Sequence, residues 1–158
     1  MKNLKSVGLG VLAALAFASS AQAVPTEGSQ SVYQVTGASD GLSSLKLMIN
    51  EVSWRGNAIW ADSEYSYSDG TVDFTQDDEF SYSFFQDFET TFNDCTNLGH
   101  TLESVTVPAG TFMACKMTDS YGDTYWLHPS VPFNYVKAEF EPSSGYGTEE
   151  LASFSIIP

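Results

Sequence analysis

Apolar and small polar residues alternate through much of this chain, and that period of two limits its possible folds more than any other feature. Within residues 79–84, Phe80, Tyr82 and Phe84 are separated by single serines. Successive side chains of a strand point to opposite faces, so this segment predicts a strand with one aromatic, buried face. Residues 65–68 repeat the pattern and lead through Asp69-Gly70, a hairpin signal, into residues 71–74.

The remaining chain predicts more short strands and little helix. Strands are predicted at residues 32–36, 45–52, 57–61, 102–107, 111–117, 124–127, 134–140 and 151–157. Pro108-Ala109-Gly110 predicts a tight three-residue turn between two of them. Only residues 84–97 carry aromatics at three- and four-residue spacing, which favours one short amphipathic helix. The prediction is a mainly β fold: a curved antiparallel sheet, half-barrel or barrel, with at most one short helix.

Residues 1–23 have the pattern of a secretory signal peptide. Lys2 and Lys5 precede an apolar run at 7–18, and Ala21-Gln22-Ala23 is a small-residue cleavage site. The apolar run is too short for the ~20 residues that span a bilayer. We therefore expect a single β domain at residues 24–158, periplasmic or secreted, without a membrane anchor.

The charge balance narrows the classes of partner. All 20 acidic residues follow the leader, whereas only four of the six basic residues do, so the expected mature chain has a net charge of −16. Binding to nucleic acid or anionic lipid depends on basic side chains that neutralise phosphate, so neither partner is expected. Cationic ligands, divalent metals and basic protein surfaces remain possible partners. The simpler interpretation of the acidic charge is that self-repulsion keeps the protein soluble.

Two cysteines, Cys95 and Cys115, are the only ones in the chain. An even number in an exported protein predicts a disulfide. On the chain-entropy model a loop of this length contributes about 3 kcal/mol to stability.

Acidic residues concentrate between positions 62 and 94, where no Lys or Arg occurs. Ca²⁺ needs several oxygen ligands, and a tentative Ca²⁺ site is formed by five nearby carboxylates: Asp69, Asp73, Asp77, Asp78 and Glu79. Their spacing does not match the twelve-residue calcium loop, and a solvated acidic surface is the alternative. No other cofactor is predicted.

Aromatic residues are abundant in the same half of the chain. Inward aromatics of a curved sheet either fill the core or line a cavity for an apolar ligand, and outward ones can stack on sugar rings. The tentative ligand-binding residues are Trp54, Trp60, Phe80, Tyr82, Phe84 and Trp126.

Catalysis has little support in the sequence. Only His100 and His128 are histidines, both in turn-like settings, and no nucleophile-elbow, zinc-protease or phosphate-loop motif is present. A pair of carboxylates acting as a hydrolase is the remaining enzymatic alternative. We predict no catalytic residues.

The segment 105–112, followed by residues 115–117, Tyr125-Trp126 and a V-K-x-E strand at 136–139, resembles a pattern of bacterial exported β-proteins of unknown function. The resemblance covers about 35 residues, and its most specific element is the V-P-A-G-x-F turn at 107–112. It implies a curved antiparallel sheet in a periplasmic or surface protein, often suggested to handle lipids or envelope assembly. Residues 127–133 depart from the pattern, in which a glycine-containing loop usually follows the tryptophan.

The sequence therefore predicts a non-catalytic binding protein that holds an apolar small molecule or an envelope protein on an aromatic-lined face. An acidic module that binds Ca²⁺ or a basic protein is the alternative, and the carboxylate-pair hydrolase comes third. The oligomeric state is not predicted.

Overall fold

The computed structural model describes residues 26–53 and 58–157, with Phe84 described by its backbone alone. The expected leader and Trp54 lie outside the described residues. The elements, in chain order, are β1 (Gln30–Thr36), β2 (Leu42–Ser53), β3 (Ala58–Tyr67), β4 (Val72–Ser81), α1 (Tyr82–Asn93), β5 (Thr101–Val107), β6 (Gly110–Thr118), β7 (Thr124–Leu127), β8 (Tyr135–Glu139) and β9 (Thr148–Ser155). A single 3₁₀ turn, Pro142–Ser144, precedes β9.

The nine strands form one antiparallel sheet in the order β4-β3-β2-β1-β9-β8-β7-β6-β5. Strand β1 pairs with both β2 and β9 and so joins the two halves of the chain. The predicted mainly antiparallel β fold with one short helix is confirmed. The sheet is open, because β4 and β5 are its two edges, and it is neither closed into a barrel nor strongly curled.

Two tight turns arise where the sequence places turn residues. Gly70 adopts φ 90° between β3 and β4, and the Tyr67 amide donates to the Thr71 carbonyl at 2.9 Å. This confirms the hairpin predicted from Asp69-Gly70. Between β5 and β6, Val107 pairs with Gly110, so the loop has two residues rather than the predicted three.

The predicted strand at 79–84 is wrong in its second half. Strand β4 ends at Ser81, and Tyr82 and Phe84 belong to α1. The Ser81 hydroxyl accepts a hydrogen bond from the Ser83 amide at 3.3 Å and so caps the helix. The three- and four-residue spacing of the aromatics then prevails, because it lets one side of α1, including Phe85, face the core.

The core has two parts on the sheet. The larger includes Tyr33, Ile49, Ile59 and Leu151, all essentially inaccessible to solvent. The smaller contains Cys95, Cys115 and Leu127, with Phe88 and Phe92 of α1 packed against it. Cys95 and Cys115 form the predicted disulfide, with Cα atoms 5.8 Å apart.

Strand β4 is an exposed edge. Most of its side chains face solvent, and Phe74 is 71% exposed. Its pairing with β3 shifts register between Ala61 and Ser63, and beside that shift Asp77 has a φ of 58°. The shift is a β-bulge, which interrupts the regular ladder.

Over residues 26–53 and 58–157, no helix is long and apolar enough to cross a membrane.

Candidate functional site

The structure forms an apolar cleft on the sheet face that α1 covers. Its volume is about 250 Å³. Seven aromatic side chains, from both halves of the sheet, its loops and α1, form most of its wall: Tyr65, Phe80, Phe88, Tyr125, Phe133, Tyr135 and Phe140. We call this cavity the aromatic cleft.

The register of the strands explains why these residues meet. Leu45 of β2 lies opposite Tyr65 of β3 on one side and Tyr33 of β1 on the other. Residues directly opposite in neighbouring strands point to the same face of a sheet. On the other side of β1, Val35 lies opposite Glu149, and Glu149 lies opposite Ala138 of β8. Hence the sheet order brings residues that are distant in the sequence onto one face.

Three rings of the cleft meet at right angles. The Tyr125 and Tyr135 centroids lie 6.4 Å apart at 86°, and the Tyr125 and Phe140 centroids lie 6.1 Å apart at 88°. Tyr135 is held by stacking on the buried Tyr33 ring, 4.5 Å away at 6°. The Tyr33 hydroxyl also donates to the Tyr135 carbonyl at 3.2 Å. The site is thus anchored in the core rather than on a loop.

Glu149 is a buried carboxyl group in this apolar wall. It is 8% exposed, and its Oε2 atom accepts a hydrogen bond from the Tyr135 hydroxyl at 2.7 Å. Burial raises the pKa of Glu149 and outweighs the opposing effect of the Tyr135 bond. Burial also raises the pKa of the Tyr125 hydroxyl, to about 12, with further contributions from Asp123, Asp119 and Glu149.

A second carboxyl group, Asp78 of β4, lines the same cleft and accepts a hydrogen bond from the Ser63 hydroxyl. The cleft continues into a neighbouring groove of about 310 Å³. Leu45, Tyr65, Phe140 and Glu149 line both spaces. Small-molecule sites span about 300–1,000 Å³, so the groove lies at the lower end of this range and the cleft alone lies just below it.

The predicted ligand-binding residues do not share one site in the structure. Phe80 lines the aromatic cleft. Tyr82 packs against the main core from the start of α1. Trp60 is half-buried, but it stands between Ile59 and Ala61 in β3 and so points to the opposite face. Trp54 and the side chain of Phe84 are outside what the structure describes.

Trp126 follows Tyr125 in β7 and therefore points away from the cleft. Its ring lies between two ammonium groups, Lys116 Nζ at 4.8 Å and Lys137 Nζ at 5.0 Å from the centroid. The indole nitrogen donates to Glu103 Oε1 at 2.8 Å. Trp126 is 5% exposed and also packs in the main hydrophobic core.

The five predicted calcium ligands are not gathered into one site. Asp69 accepts a hydrogen bond from the Thr71 amide in the β3–β4 turn, and this bond lowers its pKa. Asp78 lines the cleft, Glu79 lies opposite Trp60, and Asp73 and Asp77 are exposed on β4. In the described part of the chain, no group of three or more His, Cys, Asp or Glu side chains is arranged to hold a metal.

Sequence reasoning missed Glu149, Tyr125, Tyr135 and Phe140. The alternation around Tyr125 and Tyr135 signals one inward face, but it does not reveal which strand lies beside which. Glu149 is buried whereas the adjacent Glu150 is partly exposed. The two residues are identical in type, so the local sequence does not mark Glu149 as the buried one.

No protein-family model, curated protein or solved structure matches this chain.

Proposed function

We propose that this is a non-catalytic binding protein that holds an apolar small molecule in the aromatic cleft. One observation carries the proposal: the rings on the covered face pack against one another and still leave a cavity of about 250 Å³. Cavities of this kind, apolar with a few inward polar groups, are typical of small-molecule sites. The expected exported location is consistent with a carrier or sensor, and it remains part of the proposal.

A neutral fluorescent probe, N-phenyl-1-naphthylamine, tests the proposal because its emission rises in apolar surroundings. Leu45→Trp would fill the space that the cleft and the groove share. Leu102→Trp is the matched control, since Leu102 is 44% exposed on the edge strand β5. We expect the wild type and the Leu102→Trp variant to bind the probe with similar affinity, and Leu45→Trp to bind at least about tenfold more weakly.

Overpacking costs about 1–3 kcal/mol, so the fold of Leu45→Trp is checked by circular dichroism and thermal unfolding. Should that variant unfold, competition by 1-decanol on the wild type replaces it: displacement of the probe supports the cleft. Equal probe binding by a folded Leu45→Trp variant would contradict the proposal.

A carboxylate-pair hydrolase is the second candidate, because Asp78 and Glu149 line the same cleft. Burial raises the pKa of Glu149, and a raised carboxyl pKa is typical of the general acid in such a pair. Release of nitrophenol from a panel of nitrophenyl glycosides tests this candidate. Activity that Asp78→Asn and Glu149→Gln each abolish would support it, and no release from any substrate would end it for glycosides.

A further inference from the structure

Among the described residues that line the cleft and its groove, the acidic side chains are the only ones that carry a formal charge. Asp40, Asp78 and Glu149 contribute acidic side chains, whereas the described lining residues include no Lys, Arg or His. The potential inside the cavity is therefore negative, and low-dielectric walls strengthen it. A fatty acid or another anionic amphiphile would be repelled from such a site.

Glu149 has no positive partner among the described residues. Its Oε2 atom takes one hydrogen bond, from the neutral Tyr135 hydroxyl. The basic residue nearest along the adjacent strand, Lys137, is paired with Glu139 at 2.8 Å and with Glu150 at 3.4 Å. A buried carboxylate without a counter-charge is destabilised, because it has lost its hydration. A ligand that supplies the positive charge removes this penalty, and its binding free energy becomes more favourable by that amount.

The titratable groups around Glu149 come from several elements. Tyr33 of β1, Tyr125 of β7 and Tyr135 of β8 face it. Asp78 of β4 and Asp40 of the β1–β2 loop line the same continuous space. Tyrosine and aspartate side chains have no cationic form, so none of these groups supplies the missing positive charge.

The ring geometry fits a cation as well. Tyr135 and Phe140 both stand nearly perpendicular to Tyr125, so the three rings form a corner beside Glu149. The faces of such rings attract ammonium groups, and cages of aromatic side chains bind quaternary ammonium ligands in this way.

We infer that the ligand of the aromatic cleft is a cationic amphiphile, in which an ammonium head group pairs with Glu149 and an apolar body occupies the cleft. The inference rests on the proposed function and names its ligand class. The Tyr125, Tyr135 and Phe140 rings lie beside the head group, and the wall formed by Phe80 and Phe88 contacts the apolar body.

Three probes of equal chain length separate charge from apolarity: decyltrimethylammonium, 1-decanol and decanoate, each kept below its micelle concentration. Their affinities are measured by displacement of N-phenyl-1-naphthylamine from the full mature chain. We expect decyltrimethylammonium to bind about tenfold more tightly than decanol, and decanoate more weakly than decanol.

Two variants locate the charge effect. Glu149→Gln keeps an oxygen for the Tyr135 hydrogen bond and removes the charge, so we expect the preference for the cation over decanol to disappear. Glu150→Gln is the matched control, because it removes the same charge from the next residue of β9, on the opposite face. That variant should keep the preference.

The outcomes are distinct. If decanol binds as tightly as the ammonium probe, the cationic head group is refuted while the proposed function stands. If the preference survives in Glu149→Gln, or is lost equally in Glu150→Gln, Glu149 is not the counter-ion. If none of the three probes binds, the inference and the proposed function both fail.

Discussion

The disulfide holds α1 against the sheet, and its removal should weaken both the fold and the cleft. Cys95 and Cys115 are separated by 20 positions in the sequence. On the chain-entropy model, closing a loop of about 20 residues contributes about 3.3 kcal/mol at 25 °C. Both cysteines are buried, so a double alanine variant also loses packing, about 1 kcal/mol more.

The total loss expected for Cys95→Ala/Cys115→Ala is therefore about 4 kcal/mol, which corresponds to a fall in Tm of roughly 10 °C or more. Urea unfolding followed by circular dichroism measures this difference. The wild type treated with dithiothreitol is the control, because reduction removes the cross-link and keeps the side chains. The reduced wild type should lose about 3 kcal/mol of unfolding free energy. The additional loss in the double alanine variant then measures the packing contribution separately from chain entropy.

The consequence for the cleft follows from Phe88, which lines the cavity and packs near the disulfide. Reduction should therefore weaken binding of N-phenyl-1-naphthylamine before the sheet unfolds. A double alanine variant within about 1 kcal/mol of the oxidised wild type, at an unchanged m value, would refute the reasoning.

Three further predictions concern single residues. Tyr33→Phe keeps the stacked ring but loses the hydrogen bond to the Tyr135 carbonyl, so we expect a cost of about 1 kcal/mol in urea unfolding, against about 3 kcal/mol for Tyr33→Leu. Asn134 has a φ of 59°, and its side chain donates a hydrogen bond to the Phe85 carbonyl at 3.1 Å. The free energy of unfolding of Asn134→Ala should be about 1 kcal/mol lower than that of Asn134→Gly, because only alanine is strained at this φ. Equal unfolding free energies for the two variants would contradict this prediction. The raised pKa of Glu149 means that the folded state keeps this proton to a higher pH than the unfolded chain does. The stability of the wild type relative to Glu149→Gln should therefore fall as the pH rises from the ordinary to the raised pKa, by up to about 1.4 kcal/mol per pH unit. Urea unfolding at successive pH values measures this stability difference, and a difference that stays constant with pH would argue against a perturbed carboxyl group.

Local rules recovered the parts of the fold that depend on neighbouring residues. Asp69-Gly70 specifies a hairpin because glycine tolerates the positive φ that the turn requires, and the structure places it there. The cysteine pair followed from count and compartment alone. At residues 79–84 two local periods competed, and the helix cap at Ser81 decided between them.

The candidate site depended on information that no local rule contains. Glu149, Tyr135 and Tyr125 lie on β9, β8 and β7, which pair in chain order, but Leu45 and Tyr65 join them only because β1 pairs with β9 as well as with β2. Alternation is satisfied equally by any order of antiparallel strands, so it cannot predict this arrangement. It does predict that Tyr125 and Trp126 point to opposite faces, and of these two neighbours Tyr125 lines the cleft.

The exposed edge strand β4 gives the acidic middle of the chain a role in solution behaviour. The unpaired backbone N–H and C=O groups of an edge strand can pair with a strand of a second copy of the protein. Charged side chains and bulges on the edge oppose this growth of the sheet. Asp73 and Glu79 place negative charge along this edge, Asp77 lies beside its bulge, and Asp78 points inward from it. Asn and Gln in place of these four carboxylates would remove the repulsion, so that variant is the form of the protein in which filaments should begin to grow, from β4 outward.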